Sequence, residues 1–452
     1  MAQLQSLLIE DADLGVATDL YQLTMMAAYR ARGLTGDAVF ELFVRKLPPG
    51  RAWVVAAGLE QALAYLERLS FDREHVEWLR SLPVFAHVDS SFFEWLCNLR
   101  FTGTVEAIPE GRVVFPNEPL LRVRAPIEQA QLVETFLLAT LNMQSLIAAK
   151  AARVRIAAKD KRVVDFGARR AHGFGAALYA TRASWIAGLD GTSNVLAAAR
   201  LGIPVLGTAA HAYIMSFARE EDAFHAYHAL YPDHCTLLVD TYDTLEGCRK
   251  ATAIGPSLKG IRIDSGDLGA LARGCRAILD EAGLSETKIV LSGDLNEDKI
   301  EALLAEGVPV DSFGVGTELV TSRDQPALGG VYKLVERIEG GARVPVMKKS
   351  EGKVTWPGAK QVWRSYDPQG MFLGDVIELA GAGAPAGAEP LLVKVMEAGR
   401  TIAGPEILSL ASARERCTRD LARLPEGLRR LKGFDAPPVT IGPALRALAE
   451  SL

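Results

Sequence analysis

The chain has 452 residues with 50 basic and 55 acidic side chains, and its formal charge of −5 argues against a nucleic-acid binder that relies on excess positive charge. Hydrophobic residues make up 49% of the chain and charged residues 23%, which is typical of a folded globular protein and not of a disordered one. The five cysteines are widely spaced and form no CxxC pair, so they indicate neither a disulfide framework nor a zinc site and favour a reducing, cytoplasmic location.

The first part of the chain predicts an N-terminal α+β domain over residues 1–120. It mixes helical patterns, such as Trp53–Leu69, with extended ones, such as Arg112–Phe115. The segment Met1–Val16 has no basic start and carries acidic residues where an export signal needs an apolar core. The most apolar stretch, Phe136–Ala149, is interrupted by polar residues and is shorter than the roughly 20 residues that a bilayer requires. We therefore predict a buried helix there and no contact with a membrane.

The middle of the chain repeats one pattern, in which a short apolar run ends in small or acidic residues and a helical pattern follows. The six runs are Arg162–Gly167, Ile203–Thr208, Thr236–Asp243, Gly260–Asp267, Lys288–Asp294 and Val310–Thr317. Successive run ends, from Asp240 through Asp264 and Ser292 to Gly314, are 24, 28 and 22 residues apart. This is the length of one strand plus one crossover helix, so the pattern predicts a parallel sheet covered by helices.

Such a sheet is either an open doubly wound sheet or a closed barrel. Polar residues follow every run, and barrel enzymes gather their sites at the C-terminal strand ends, whereas an open sheet concentrates ligand groups at one switch point. We therefore predict an α/β fold with an irregular TIM-like barrel in residues 121–345, after the N-terminal α+β domain. Residues 346–452 are predicted to form a C-terminal extension that packs on the N-terminal domain, with Ala380–Pro390 as a surface hairpin loop.

Two glycine-containing strand ends indicate phosphate binding. A phosphate needs backbone N–H groups directed at it, which requires residues without a bulky side chain. One such glycine on its own is more typical of a tight turn, but two consecutive units carry them, and late barrel strands commonly hold a phosphate. The predicted phosphate-binding residues are Gly293, Asp294, Gly314, Gly316 and Thr317.

Carboxylates and arginines follow the same strands. The carboxylates are Asp240, Asp243, Asp264, Asp267 and Asp294. Clustered carboxylates beside a phosphate suggest Mg²⁺, although Asp267 and Asp294 are better explained by helix capping or loop order. The arginines are Arg169, Arg170 and Arg262. Three guanidinium groups at one end of a barrel indicate an anionic substrate, while ion pairs with the nearby carboxylates are the structural alternative.

His211 follows the second run and is the candidate nucleophile for a phosphoryl group. A single histidine is more often structural, but Asp240 at a neighbouring strand end is predicted to orient its ring. The spacing of a second group of metal-ligand types fits no common metal site: His225, His228, His234 and Cys235. His172 has no clear role, and a structural one is favoured.

Taken together, these stretches resemble nicotinate phosphoribosyltransferase. The matching motifs run from residue 18 to about 365: Thr18–Met25, Phe40–Arg45, Phe166–Arg170, Gly191–Val195, Gly207–His211, Val239–Asp243, Arg262–Asp267, Gly314–Thr317 and Pro357–Gln361. The resemblance implies a type II phosphoribosyltransferase-like barrel. It also implies transfer of phosphoribose from phosphoribosyl pyrophosphate to the ring nitrogen of nicotinate, with ATP as a co-substrate that phosphorylates His211.

The resemblance also implies a role for individual residues. The nicotinate ring would stack between Phe166 and a Tyr21 contributed by the neighbouring subunit of a head-to-tail homodimer. Arg169 and Arg262 would hold phosphates, and Asp264 and Ser265 would lie near the ribose and the ring. The 5′-phosphate would bind the loops containing Gly293, Asp294, Gly314 and Gly316.

Three alternatives differ in specific features. Nicotinamide phosphoribosyltransferase has an Asp where this chain has Ser193, and a hydroxyl can donate to a carboxylate that an Asp would repel, so Ser193 favours nicotinate. Quinolinate phosphoribosyltransferase uses no ATP, and both His211 and the N-terminal motif argue against it. A barrel that binds a phosphorylated ligand without turnover is disfavoured because His211 and Asp240 accompany the glycine loops.

Overall fold

The structure, a computed structural model, describes residues 8–349 and 355–452, so the first seven residues of the segment Met1–Val16 lie outside it. The described strands are β1 Asp37–Val44, β2 Val54–Val55, β3 Thr104–Ala107, β4 Val113–Val114, β5 Pro119–Pro126, β6 Arg162–Asp165, β7 Gly191–Thr192, β8 Thr236–Leu238, β9 Gly260–Ile263, β10 Lys288–Leu291, β11 Ser312–Val315, β12 Gly330–Glu339, β13 Ala342–Pro345, β14 Lys360–Tyr366, β15 Phe372–Leu379, β16 Glu389–Pro390, β17 Val393–Glu397, β18 Arg400–Thr401 and β19 Val439–Ile441.

The described α-helices are α1 Leu20–Ala31, α2 Leu59–Arg68, α3 Arg73–Ser81, α4 Ser90–Asn98, α5 Ile127–Leu132, α6 Glu134–Ala158, α7 Phe174–Ile186, α8 Val195–Leu201, α9 His211–Met215, α10 Glu220–Leu230, α11 Thr244–Ala251, α12 Leu268–Glu281, α13 Glu297–Ala305, α14 Thr317–Val320, α15 Pro405–Leu408, α16 Leu410–Arg423, α17 Glu426–Arg429 and α18 Pro443–Ser451. The predicted buried helix at 136–149 lies within α6. Across the described ranges, no helix combines the length and the apolar character that a membrane span needs.

The described residues form two compact units. One unit contains the residues up to Ser145 together with those from Ala327 onward, and the other is Leu146–Pro326. The predicted ranges 1–120, 121–345 and 346–452 stay a prediction about domains.

The first unit is built on a seven-stranded sheet in the order β13-β12-β1-β5-β3-β17-β18, in which every pairing is antiparallel. Strand β1 is buried almost throughout, because it lies between β12 and β5 and packs on both faces. The predicted helix over 53–69 begins later, at Leu59, since Val54–Val55 instead pairs with β4. The prediction of a hairpin loop at Ala380–Pro390 is wrong, because residues 380–388 join β15 to β16 and both of these strands pair with β14.

The second unit contains a parallel six-stranded sheet in the order β7-β6-β11-β10-β9-β8. The sheet is a curled half-barrel, and among the described strands β7 and β8 are its two edges. Side chains alternate along each strand, so that in β6 Val163 and Asp165 are fully buried on one face while Arg162 is exposed on the other. Helices follow the strands and cover the first face, which gives an α/β unit with its parallel strand ends at one edge.

Five of the six predicted strands are present in this sheet. The run Ile203–Thr208 is not a strand and contributes a single bridge, from Val205 to Thr192. Pro204 within it has no N–H for a ladder, which explains why the pairing does not extend. The neighbouring strand is Gly191–Thr192, whose two residues are too short for a sequence pattern to indicate.

Aspartate or asparagine side chains cap four helices of the second unit, α8, α11, α12 and α13. Asp243 accepts a hydrogen bond from Glu246 N, and Asp267 accepts one from Ala270 N, so both cap helices. This confirms the capping role predicted for Asp267. Asn296 caps α13, while Asp294 lies in the loop before it with a left-handed φ of 47°. These caps fix where each strand end turns into a helix.

Candidate active site

Arg262 is the residue around which the strand ends of the second unit are connected. Its Nε donates to Ser292 Oγ at 2.8 Å, its Nη1 to Thr208 Oγ1 at 3.0 Å, and its Nη2 to Asp264 Oδ1 at 2.5 Å. Arg262 lies on β9 and Ser292 directly follows β10, so these bonds join neighbouring parallel strands. Each of the three guanidinium nitrogens therefore makes one hydrogen bond to a neighbouring side chain, which fixes the plane of the group. Its remaining N–H donors are left for a ligand.

Asp264 is held by both its backbone and its side chain. Its N–H donates to Asp240 Oδ2 at 2.9 Å, and its Oδ1 accepts from Arg262 and, at 2.5 Å, from Ser292 Oγ. Burial on its own raises the pKa of this carboxyl, but the hydrogen bond from Ser292 and the charge of Arg262 outweigh burial and hold the pKa below its ordinary value. Asp264 is therefore an anion at neutral pH.

His211 begins α9 and is partly exposed, with its ring between two side chains of this group. Nδ1 lies 3.2 Å from Thr241 Oγ1, and Nε2 lies 4.0 Å from Asp264 Oδ2. The prediction that Asp240 orients this ring is wrong. Asp240 Oδ2 instead accepts from Asp264 N and, at 2.7 Å, from Ser265 Oγ, because the carboxylate turns toward the loop after β9.

Phe166 supplies an aromatic face beside this polar group. The Arg262 guanidinium lies over its ring at 5.3 Å from the centroid. Gly314 on the adjacent strand makes room for the ring, since a Cβ there would lie 2.4 Å from Phe166 Cδ2. Gly293 is required for a different reason: its φ is +97°, and a Cβ would lie 1.9 Å from the carbonyl oxygen of Asp264.

The remaining predicted residues have fewer contacts. Arg169 and Arg170 form a 3-10 turn after β6, and within the described ranges their exposed guanidinium groups make no hydrogen bond or ion pair. Ser193 donates its N–H to Asp165 O at 2.8 Å, and its side chain is half-buried. Gly316 and Thr317 lie where β11 becomes α14.

The structure also describes His172 and Tyr21. His172 is exposed in the loop before α7. Tyr21 belongs to the first unit, is 48% exposed, and donates its hydroxyl to Glu134 Oε2 at 3.2 Å.

Sequence reasoning missed two hydroxyl residues of the site, Thr208 and Thr241, and it identified Ser292 as the end of a run without predicting its contacts with Arg262 and Asp264. Each lies beside a predicted residue or inside a run whose end was identified, yet hydroxyl residues are common in loops and give no signal of their own. Their position at the C-terminal ends of predicted strands was the one available indication.

Two carboxylate oxygens of this group, Asp264 Oδ2 and Asp240 Oδ1, are not used by Arg262, Ser292 or Ser265. Among the described residues no group of three or more His, Cys, Asp or Glu side chains is arranged to hold a metal. Asp264 Oδ2 faces His211 and is not used by Arg262 or Ser292, while Asp240 Oδ1 is buried without a hydrogen-bond partner in the described part of the chain. This donor set fits Mg²⁺ that takes most of its ligands from phosphates and water, since Mg²⁺ needs one or two protein carboxylates.

The chain matches two family models. Residues 16–142 match the nicotinate phosphoribosyltransferase (NAPRTase) N-terminal domain, and residues 161–354 match the nicotinate phosphoribosyltransferase (NAPRTase) family. The second match contains the whole group of contacts around Arg262.

Similar proteins carry the same description over most of their length. The chain is 47% identical over 428 residues to nicotinate phosphoribosyltransferase pncB2 of Mycobacterium tuberculosis, with 93% of this chain and 90% of that protein covered. It is 45% identical to nicotinate phosphoribosyltransferase of Bacillus subtilis, with 78% and 74% covered. The crystal structure of human nicotinic acid phosphoribosyltransferase superposes with a TM-score of 0.85 at 32% identity, covering 96% of this chain and 99% of that one.

Proposed function

The chain belongs to the nicotinate phosphoribosyltransferase family, and on this premise we propose that it converts nicotinate and phosphoribosyl pyrophosphate to nicotinate mononucleotide and pyrophosphate in NAD biosynthesis. The observation that carries the proposal is the connected group of Arg262, Asp264, Ser292 and His211 beside the Phe166 ring. ATP hydrolysis is coupled to the reaction, and the fold is a type II phosphoribosyltransferase-like TIM barrel of irregular form.

The transfer breaks the bond from ribose C1 to pyrophosphate and forms a bond from C1 to the ring nitrogen of nicotinate. Negative charge grows on the leaving pyrophosphate, so a cation that is already fixed in place lowers the barrier more than one that must reorganise. Arg262 meets this condition, because three of its N–H groups are held by neighbouring side chains. Mg²⁺, when bound through Asp264 and phosphate oxygens, supplies further charge neutralisation.

His211 accepts the γ-phosphoryl group of ATP on Nε2 in this proposal. Nδ1 lies 3.2 Å from Thr241 Oγ1, and when Nδ1 carries the proton and donates it to that oxygen, the lone pair of Nε2 is available to the phosphorus. The N–P bond forms as the bond between the γ-phosphorus and the ADP oxygen breaks, and later hydrolysis returns His211 and phosphate. Thr241 is a positioning residue that holds the ring through Nδ1.

The ring is bound by stacking and by its carboxylate. Phe166 provides one face, and Tyr21 of a neighbouring copy in a head-to-tail homodimer provides the other, for which its exposed ring is suited. Ser193 donates to the nicotinate carboxylate and so selects nicotinate over nicotinamide.

The remaining predicted residues bind the sugar phosphate. Arg169 and Arg170 offer guanidinium groups free of ion pairs within the described ranges, and Ser265 lies beside the ribose. The loops at Gly293–Asp294 and Gly314–Thr317 offer backbone N–H groups to the 5′-phosphate. A cytoplasmic location is part of the proposal and agrees with the five free cysteines.

The test combines labelling with a substrate comparison. Incubation with γ-labelled ATP should give an acid-labile, base-stable phosphoprotein, and His211→Ala should lose the label. His225→Ala, an exposed histidine on α10, is the matched control and should keep it. Label retained in His211→Ala would show that the nucleophile is another residue. Faster turnover of nicotinamide than of nicotinate, or no turnover of either, would favour the sibling enzyme or a binding protein respectively.

A further inference from the structure

Lys150 is a buried lysine on α6, within the second unit, that the proposed chemistry does not use. Its side chain is 2% exposed, and its Nζ lies 2.6 Å from Glu297 Oε2 and 2.9 Å from Asp324 Oδ1. Lysine is rarely buried to this extent, because removing an ammonium group from water is costly unless carboxylates compensate for it. The ammonium group therefore depends on these two carboxylates, and their positions depend on it.

The two carboxylates come from segments that follow neighbouring strands. Glu297 is the first residue of α13, which comes directly after the loop 293–296 at the end of β10. Asp324 follows α14, which begins at Thr317 after the end of β11. Strands β10 and β11 pair in parallel, so the two loops lie side by side at one edge of the sheet. Lys150 therefore connects the two segments whose loops are proposed to bind the 5′-phosphate.

The charge of Glu297 is balanced by a second buried cation on the same helix. Arg153 donates from Nε to Glu297 Oε1 at 2.9 Å. The carboxylate belongs to a residue only three positions after Asp294, so an unbalanced charge there would oppose the binding of a phosphate to the Gly293–Asp294 loop. Lys150 and Arg153 together remove much of that repulsion. The network therefore affects both the position and the charge of the segment after β10.

We propose that Lys150 is a positioning residue for the 5′-phosphate of phosphoribosyl pyrophosphate. The proposal rests on the function proposed above. Lys150 touches no substrate in this role. It holds α13 and the segment after α14 at a fixed separation, so that the backbone N–H groups of the two loops are directed at the same phosphate. Such support matters because binding groups must be held within about 0.5 Å of the productive geometry.

Lys150→Met tests this role with two inhibitors that probe different parts of the substrate site. Ribose 5-phosphate carries the 5′-phosphate without the leaving group, and inorganic pyrophosphate is the leaving group alone. The inhibition constant of ribose 5-phosphate should rise about tenfold or more, while that of pyrophosphate and the KM for nicotinate change less than about threefold. An equal rise for both inhibitors, or no rise for either, in folded Lys150→Met protein would overturn the proposal.

Arg276→Met is the matched control for a general loss of stability. Arg276 lies on α12 and also links segments of the second unit, because it donates to Leu284 O and Thr287 O at 2.8 Å. These contacts are at the opposite end of β10 from the phosphate loop. Arg276→Met should therefore leave the ratio of the two inhibition constants unchanged, and the same change of ratio as in Lys150→Met would also overturn the proposal.

Asp324→Asn keeps the proposal testable if Lys150→Met does not fold. The Asp324 side chain is 40% exposed, and Lys150 keeps its pair with Glu297 in this variant, so folding is less at risk. Because one of the two links is weakened, the inhibition constant of ribose 5-phosphate should rise about three- to tenfold, with that of pyrophosphate unchanged. An unchanged ratio of the two constants would refute the role of Lys150, whereas wild-type protein without nicotinate turnover would refute the proposed function instead.

Discussion

Ser292→Ala is the substitution for which the structure gives the sharpest expectation. The Ser292 hydroxyl is 2% exposed, accepts from Arg262 Nε at 2.8 Å and donates to Asp264 Oδ1 at 2.5 Å. A hydrogen bond to a charged group contributes about 1.5–3 kcal/mol, and water can replace part of it in a site that opens to solvent. We therefore expect a loss of about 2–3 kcal/mol for the two bonds together, which corresponds to a roughly 30- to 150-fold fall in kcat/KM.

The pH dependence separates this role from a general loss of structure. The hydrogen bond from Ser292 lowers the pKa of Asp264, so its removal raises that pKa. If ionised Asp264 is needed for turnover, the acidic limb of the kcat/KM profile moves to higher pH in Ser292→Ala. Steady-state kinetics across the acidic range measure both effects, with Ser285→Ala, an exposed serine before β10, as the control. A fall of less than threefold with an unmoved acidic limb would refute the reasoning.

Three further outcomes are expected. Arg262→Ala should lower kcat, or raise the KM for phosphoribosyl pyrophosphate, by about 10²-fold or more, the scale for losing a fixed charge in the transition state; an effect below threefold in steady-state assays would remove it from the site. Ser193→Asp should reduce kcat/KM for nicotinate more than for nicotinamide, and an unchanged ratio would contradict the assigned ring discrimination. Gly314→Ala should destabilise the protein by about 1–3 kcal/mol in denaturant unfolding, because its Cβ would overlap the Phe166 ring; an unchanged midpoint would show that the ring shifts freely.

The sheet of the second unit was largely predictable because the sequence carries two separate signals for each strand. The apolar run gives the strand, and the small or acidic residues that follow mark its end, as at Asp264 after β9 and Ser292 after β10. Parallel pairing then brings such ends to one edge without further information. The strand predicted at Ile203–Thr208 is absent because Pro204 has no N–H to donate to a neighbouring strand. The prediction considered only the hydrophobicity of the run.

The partners within the site were less predictable than its position. The sequence places Asp240 and Thr241 next to each other, and a carboxylate is the more familiar partner for an imidazole. The side chain that reaches His211 is nevertheless that of Thr241, since Asp240 is committed to Asp264 N and Ser265 Oγ. Asp240 and Thr241 lie beyond the end of β8, where side chains no longer alternate between the two faces of the sheet. The sequence therefore does not indicate which of the two side chains faces the His211 ring.

The close approach of Gly293 to Asp264 has a mechanical consequence. The loops after β9 and β10 meet backbone to backbone at this point, with less space between them than any side chain would need. They are also tied by the hydroxyl of Ser292. A ligand that pushes the β10 loop toward the β9 loop therefore meets the backbone of Asp264 at once, and we expect that backbone to move with it.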